Sequence, residues 1–321
     1  MSEVQPAPSE VQPAPSEVQP APSEVQPAPS EVQPAPSEGK KVTPLGVLKA
    51  LVFILGIQAA AVLLTYLNAP VFSLSGYSYA PLGTSPAGSA GNTLLLVLVV
   101  FSTTLALVWI LRQKRVLSFK IIVFGATVLS AFSLTLITVD SVTLYFFNFS
   151  SPLFDLLLSF VPVALLGYTT FVKASSRISS GVLALLSAEV GSYFASTLPL
   201  ITALLFPIAF SLYDVYAVFR GPLRELVSAA PASALGVISV KAGEFTIGLG
   251  DTVFYSMLPS LAIYQLNILG AAVSVSAAVV TIAAVDAGMV FTLYLLTKKK
   301  LLPGLPIPMV LGVASLLFFL R

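Results

Sequence analysis

Two carboxylates inside otherwise apolar runs are the residues whose type and spacing could do chemistry. Asp214 lies in SLYDVYAVF and Asp251 in IGLGDTVFYS, each within a run long enough to cross a bilayer. An ionisable group at that depth is costly and marks a candidate functional site. Gly248 and Gly250, just before Asp251, leave room for another backbone or for water. At helical rise, Asp214 lies about 9 Å in from Arg220 and Asp251 about 10 Å in from Glu244. The two acids thus share a depth on consecutive spans, and neither span carries a Lys or Arg. Two carboxylates close together in a low dielectric share a proton. Such a pair can activate water with one member and protonate a carbonyl with the other. The same pair also reads as structural acids between helices or as part of an ion path.

Composition narrows the chemistry further. The chain of 321 residues is 56% hydrophobic and 9% charged, against about a quarter charged in soluble domains. It reads as an all-α polytopic membrane protein. It has no cysteine and no histidine. Disulfides, thiolate nucleophiles, Ser-His pairs and HExxH zinc sites are excluded by absence. No metal or cofactor site is expected, and nothing points to nucleic acid.

These acids must be positioned by nine apolar runs: 45–67, 93–111, 121–139, 152–172, 181–197, 200–219, 245–266, 268–297 and 302–320. Leu198-Pro199 separates the fifth from the sixth, where proline favours a break. Of sixteen Lys and Arg, all but Arg321 fall on one side of this arrangement. The positive-inside rule then sets the N-terminus in the cytoplasm and the C-terminus outside, in a multi-pass cell-membrane protein. The loop 68–92 becomes external. Residues 1–44 form a separate Pro-rich tail with five copies of SEVQPAP, too proline-rich for a helix and expected to be disordered. Residues 45–321 form the membrane domain, with spans one to five as scaffold and six to nine as the chemical part.

The ninth run opens with LLPGLPIPM. Pro303, Pro306 and Pro308 resist regular helix, so this segment is expected to line a cleft and offer main chain to an extended ligand. A proline-initiated helix is the plainer alternative. Glu189 and Asp286 are also at membrane depth, and read as packing acids ahead of relay or ion-ligand roles.

At these residues the sequence resembles the presenilin-like intramembrane aspartyl proteases. That family carries YD, GxGD and PAL motifs on spans six, seven and nine. Here they stand as Tyr213-Asp214, Gly248-Leu249-Gly250-Asp251 and Pro303-Gly304-Leu305. The flanks YDVYAVFRGPLREL and FYS, and the N-in orientation, favour presenilin over signal peptide peptidase. The resemblance covers residues 200–321, and implies a single-chain endopeptidase of archaeal type that cuts transmembrane helices of substrate proteins within the bilayer. It implies Asp214 and Asp251 as the catalytic pair, with Tyr213, Gly248, Leu249, Gly250, Pro303, Gly304 and Leu305 as motif or substrate-binding positions. No obligatory accessory subunit is implied, and an oligomer is compatible with it. Gly304 replaces the family's alanine, so restoring alanine is expected to be tolerated. The loop 220–244 is short beside the presenilin loop. Three rival classes stay open: an ion channel or transporter, a prepilin-type GxGD peptidase, and a catalytically silent membrane scaffold.

Overall fold

In hydrocarbon every backbone group must be satisfied within the chain, and long apolar runs achieve this as helices. The computed structural model describes residues 43–149, 151–171, 176–221, 239–296 and 302–321. The SEVQPAP tail and the cations Lys173, Arg224 and Lys298–Lys300 lie outside the described residues. Among the described residues nine α-helices follow in order: α1 Pro44–Ser75, α2 Pro86–Arg112, α3 Val116–Tyr145, α4 Pro152–Phe171 and α5 Ser176–Thr197. Then come α6 Leu200–Phe219, α7 Leu249–Gln265, α8 Ala271–Leu296 and α9 Pro306–Phe319. Seven are long and apolar enough to cross a membrane by themselves. The protein is a multi-pass membrane protein.

The two shorter helices are α7, with 17 residues, and α9, with 14. Each is extended by something that is not α-helix. A 3₁₀ turn, Leu266–Leu269, follows α7. A hairpin of β1 (Ser239–Ala242) and β2 (Phe245–Gly248) precedes it, paired antiparallel with Ala242 opposite Phe245. Its two-residue loop is Gly243-Glu244, with Gly243 at φ +64°, the conformation a type II′ hairpin needs first and glycine supplies without strain. This corrects the span read as 245–266: the apolar stretch Phe245–Gly248 is strand, and helix begins at Leu249. The depth of Asp251, counted at helical rise from Glu244, therefore does not hold. Short apolar runs do not separate strand from helix by pattern alone, which is why the hairpin was missed.

Other boundaries shift as well. Residues 68–75 continue α1 through Pro70, and 86–92 already belong to α2, so the connection expected over 68–92 is confined to 76–85. The fifth helix has 22 residues. Thr197 and Leu200 bound the expected break, with Pro199 as the N-cap of α6.

Between helices in a membrane, close packing and hydrogen bonds replace the hydrophobic drive. Half of the apolar window of α5 is buried inside protein, against 6% for α3. The interior is thus built on α1, α5, α6, α7, α8 and α9, while α3 is chiefly exposed. α1 buries Ala50, Ile54, Ile57 and Ala61 at heptad-like spacing, against α5, α7 and α8.

Candidate active site

Asp251 stands in the first turn of α7, after Gly248 at the N-cap. The carboxylate reaches back toward the main chain of Gly248, the direction taken by the third residue of a capping box. It also faces the positive end of the helix dipole. α7 is held against α5 by small and hydroxyl side chains at i, i+4 spacing on both helices. Thr252 Oγ1 donates to Ser187 Oγ at 2.8 Å, and Ser256 Oγ to the Ser187 carbonyl at 3.2 Å. Gly191, one turn along α5, lies so close to Ser256 that a side chain would collide with it.

Asp214 sits in the last two turns of α6 and is 8% exposed, whereas Asp251 is only partly buried. An aromatic contact brings the two helices together. Phe210 is one turn before Asp214 and Phe254 is just under one turn after Asp251, and their rings lie 4.7 Å apart, with Phe206 5.1 Å from Phe254. Tyr213 turns the other way, packing edge-on to Phe101 of α2 at 6.0 Å and against Phe210 at 5.3 Å.

The third element is the irregular segment Leu302–Leu305 that precedes α9. Leu305 N–H donates to Asp214 Oδ2 at 3.2 Å, with the Gly304 main chain alongside. A Cβ on Gly304 would lie 2.6 Å from Asp251 Oδ2. Both carboxylates therefore converge on one residue pair, Gly304-Leu305. Three corrections to the sequence reading follow. Only Pro303 belongs to the irregular backbone, since Pro306 opens α9 at its first position and Pro308 lies inside its first turn. The segment has few main-chain groups left for a ligand: Leu305 N–H is on Asp214, Leu305 C=O accepts from Met309 N–H at 3.0 Å, and Gly304 C=O accepts from Tyr255 Oη at 2.9 Å. Alanine at 304 would press on the Asp251 carboxylate, contrary to the expectation that it is tolerated.

The hairpin supplies what that segment lacks. Lys241 N–H points away from β2, to Ser180 Oγ of α5 at 2.9 Å. Lys241 and Thr246 are opposite one another, so they form a non-hydrogen-bonded pair. Thr246 N–H and C=O therefore point to the outer edge of β2, which is unpaired among the described residues and runs directly into Gly248, Leu249, Gly250 and Asp251. Leu249 packs on the core, while Gly248 and Gly250 are exposed.

The other membrane acids are satisfied elsewhere. Glu189 accepts from Thr135 Oγ1 of α3 at 3.1 Å. Asp286 Oδ1 accepts from Gln58 Nε2 at 3.2 Å, and the same nitrogen reaches the Tyr255 carbonyl at 3.4 Å. That carbonyl has no intrahelical donor because Pro259 stands four residues on. Gln58 went unnoticed in the sequence, although a carboxamide in the middle of an apolar run and a proline four residues beyond a tyrosine were both visible. Among the described residues no group of three or more Asp or Glu could hold a metal ion.

Neither the family models nor the curated proteins compared with this sequence match it. Solved structures do. A presenilin family intramembrane aspartate protease in space group C222 superposes with a TM-score of 0.59 at 16% identity, over 85% of this chain and 98% of that one. A structure so described in space group P2 gives 0.56 at 18% identity, over 88% and 99%. The chain has the presenilin-type fold.

Proposed function

We propose that this protein is an intramembrane aspartic endopeptidase of GxGD type, with Asp214 and Asp251 as its catalytic pair. The observation that carries the reading is the convergence of two carboxylates, from separate helices, on the Gly304-Leu305 main chain, in a fold shared with proteases that act through aspartates. One carboxylate takes a proton from water as its oxygen attacks the scissile carbonyl, and the other gives a proton to the developing alkoxide. Collapse of the tetrahedral intermediate breaks the C–N bond, and the departing nitrogen takes a proton back from the pair. No external reactant beyond water is needed. Among the described residues Glu189 is engaged by Thr135 and Asp286 by Gln58, which weighs against an ion path built from these acids.

The substrate is a transmembrane helix of another protein, unwound locally because a helical carbonyl is already hydrogen-bonded. Its extended stretch adds to the outer edge of β2, where Thr246 offers a donor and an acceptor. The N-terminus is cytoplasmic on the distribution of Lys and Arg, and the chain acts without accessory subunits. The test is cleavage of a single-span peptide by purified protein carrying Asp214→Asn, Asp251→Asn or both. Each single change abolishes cleavage and the double costs no more than either, because the two act as a unit. Substantial turnover by either folded single variant would overturn the assignment.

A further inference from the structure

The Gly304–Leu305 peptide is gripped at both ends. Its carbonyl accepts from the Tyr255 hydroxyl at 2.9 Å, and its N–H donates to Asp214 Oδ2 at 3.2 Å. In a trans peptide these two groups share a plane and point in opposite directions. Fixing the carbonyl therefore fixes where the N–H aims. A hydrogen bond to the carbonyl also polarises the peptide and strengthens its N–H as a donor. Pro303 and Pro306 have no N–H of their own to pin this irregular stretch.

Tyr255 is well placed to act as the fixed end. It is 3% exposed and lies four residues after Asp251, on the same face of α7. Its own carbonyl, left without a helical donor by Pro259, is held by Gln58 Nε2 of α1 at 3.4 Å. The chain of contacts runs from α1 through α7 and the segment before α9 to Asp214 on α6.

We propose that Tyr255 is a positioning residue for the carboxylate pair: through the Gly304–Leu305 peptide, its hydroxyl sets where Asp214 stands relative to Asp251. The catalytic meaning rests on the reading that this pair hydrolyses peptide bonds, whereas the relay itself can be observed without any turnover. A tyrosine needed only for its volume would be replaced by phenylalanine without consequence.

The experiment is Tyr255→Phe in the full chain, read in two ways. The sequence contains two Gly-Leu peptides, Gly248-Leu249 and Gly304-Leu305. Carbonyl-¹³C glycine with ¹⁵N leucine therefore gives a carbonyl-edited NMR spectrum of two signals. In Tyr255→Phe the Leu305 signal moves while that of Leu249 stays, and Asp214→Asn moves the Leu305 signal as well. In the second arm, cleavage of a single-span peptide is normalised to active sites titrated with a transition-state-mimic aspartyl inhibitor. Here kcat falls about tenfold with KM within about twofold, a split that lost folding does not produce once sites are counted. A stationary Leu305 signal, or an unchanged kcat per titrated site, overturns the proposal. Failure of the functional reading looks different: the wild-type chain does not cleave, or Asp214→Asn still does. The Leu305 signal then still decides the relay, and a moving signal leaves it as a structural tie with the positioning role refuted.

Discussion

Alanine at position 304 tests how closely the segment before α9 approaches the acids. A methyl built there falls 2.6 Å from Asp251 Oδ2 and 3.2 Å from its Cγ, about 0.8 Å short of ordinary contact for the nearer atom. The obstacle is the end of a short side chain, so the carboxylate can swing or the segment can retreat. The fold then survives at the low end of the roughly 1–3 kcal/mol that overpacking costs. Geometry is another matter, since a displacement of about 1 Å in a reacting group costs on the order of 10²-fold. Gly304→Ala should therefore lower kcat by about 10–100-fold with only a small fall in Tm. Initial rates on a single-span peptide in proteoliposomes, per inhibitor-titrated site, measure it. A kcat equal to or above that of the unchanged chain would refute the close approach, and with it the account of why glycine stands here.

Gln58→Leu removes the donor for two buried acceptors, the Tyr255 carbonyl and Asp286 Oδ1. At about 1–3 kcal/mol for each group left unsatisfied, thermal unfolding in detergent should move down by several degrees, and an unchanged Tm would show the bonds carry nothing. Thr246→Pro deletes an outward N–H that β1 does not use, so the hairpin should persist. One substrate hydrogen bond lost, about 1 kcal/mol, should raise KM about fivefold at constant kcat. An unaffected KM would remove β2 from the substrate path. On the proposed orientation, with the cations on the cytoplasmic side, the first cut in a substrate span should fall in its cytoplasmic third. Mass spectrometry of early products reads this, and first cuts in the external half would contradict the orientation.

The class of molecule, the helices found among the described residues and the presence of two carboxylates inside apolar runs were legible in the sequence, because their signals are local. Hydrocarbon thickness translates run length into a span whatever the neighbours are, and a carboxylate in such a run stands out by its cost alone. The break at Leu198-Pro199 was equally local, since proline lacks the donor that a continuous helix requires. What the tertiary structure decided was how the remaining polar groups pair. Phe245–Gly248 is apolar enough for helix, and becomes strand because Ser239–Ala242 pairs with it and Ser180 of α5 meets the far edge at Lys241. The Gly304–Leu305 peptide gives its N–H to Asp214 and its carbonyl to Tyr255, 49 residues upstream. Gln58 matters because Pro259, on another helix, empties a hydrogen bond it can fill. A backbone donor or acceptor in a membrane must find a partner, but the sequence names only those that lie within one turn, and each of these partners lies on a different element.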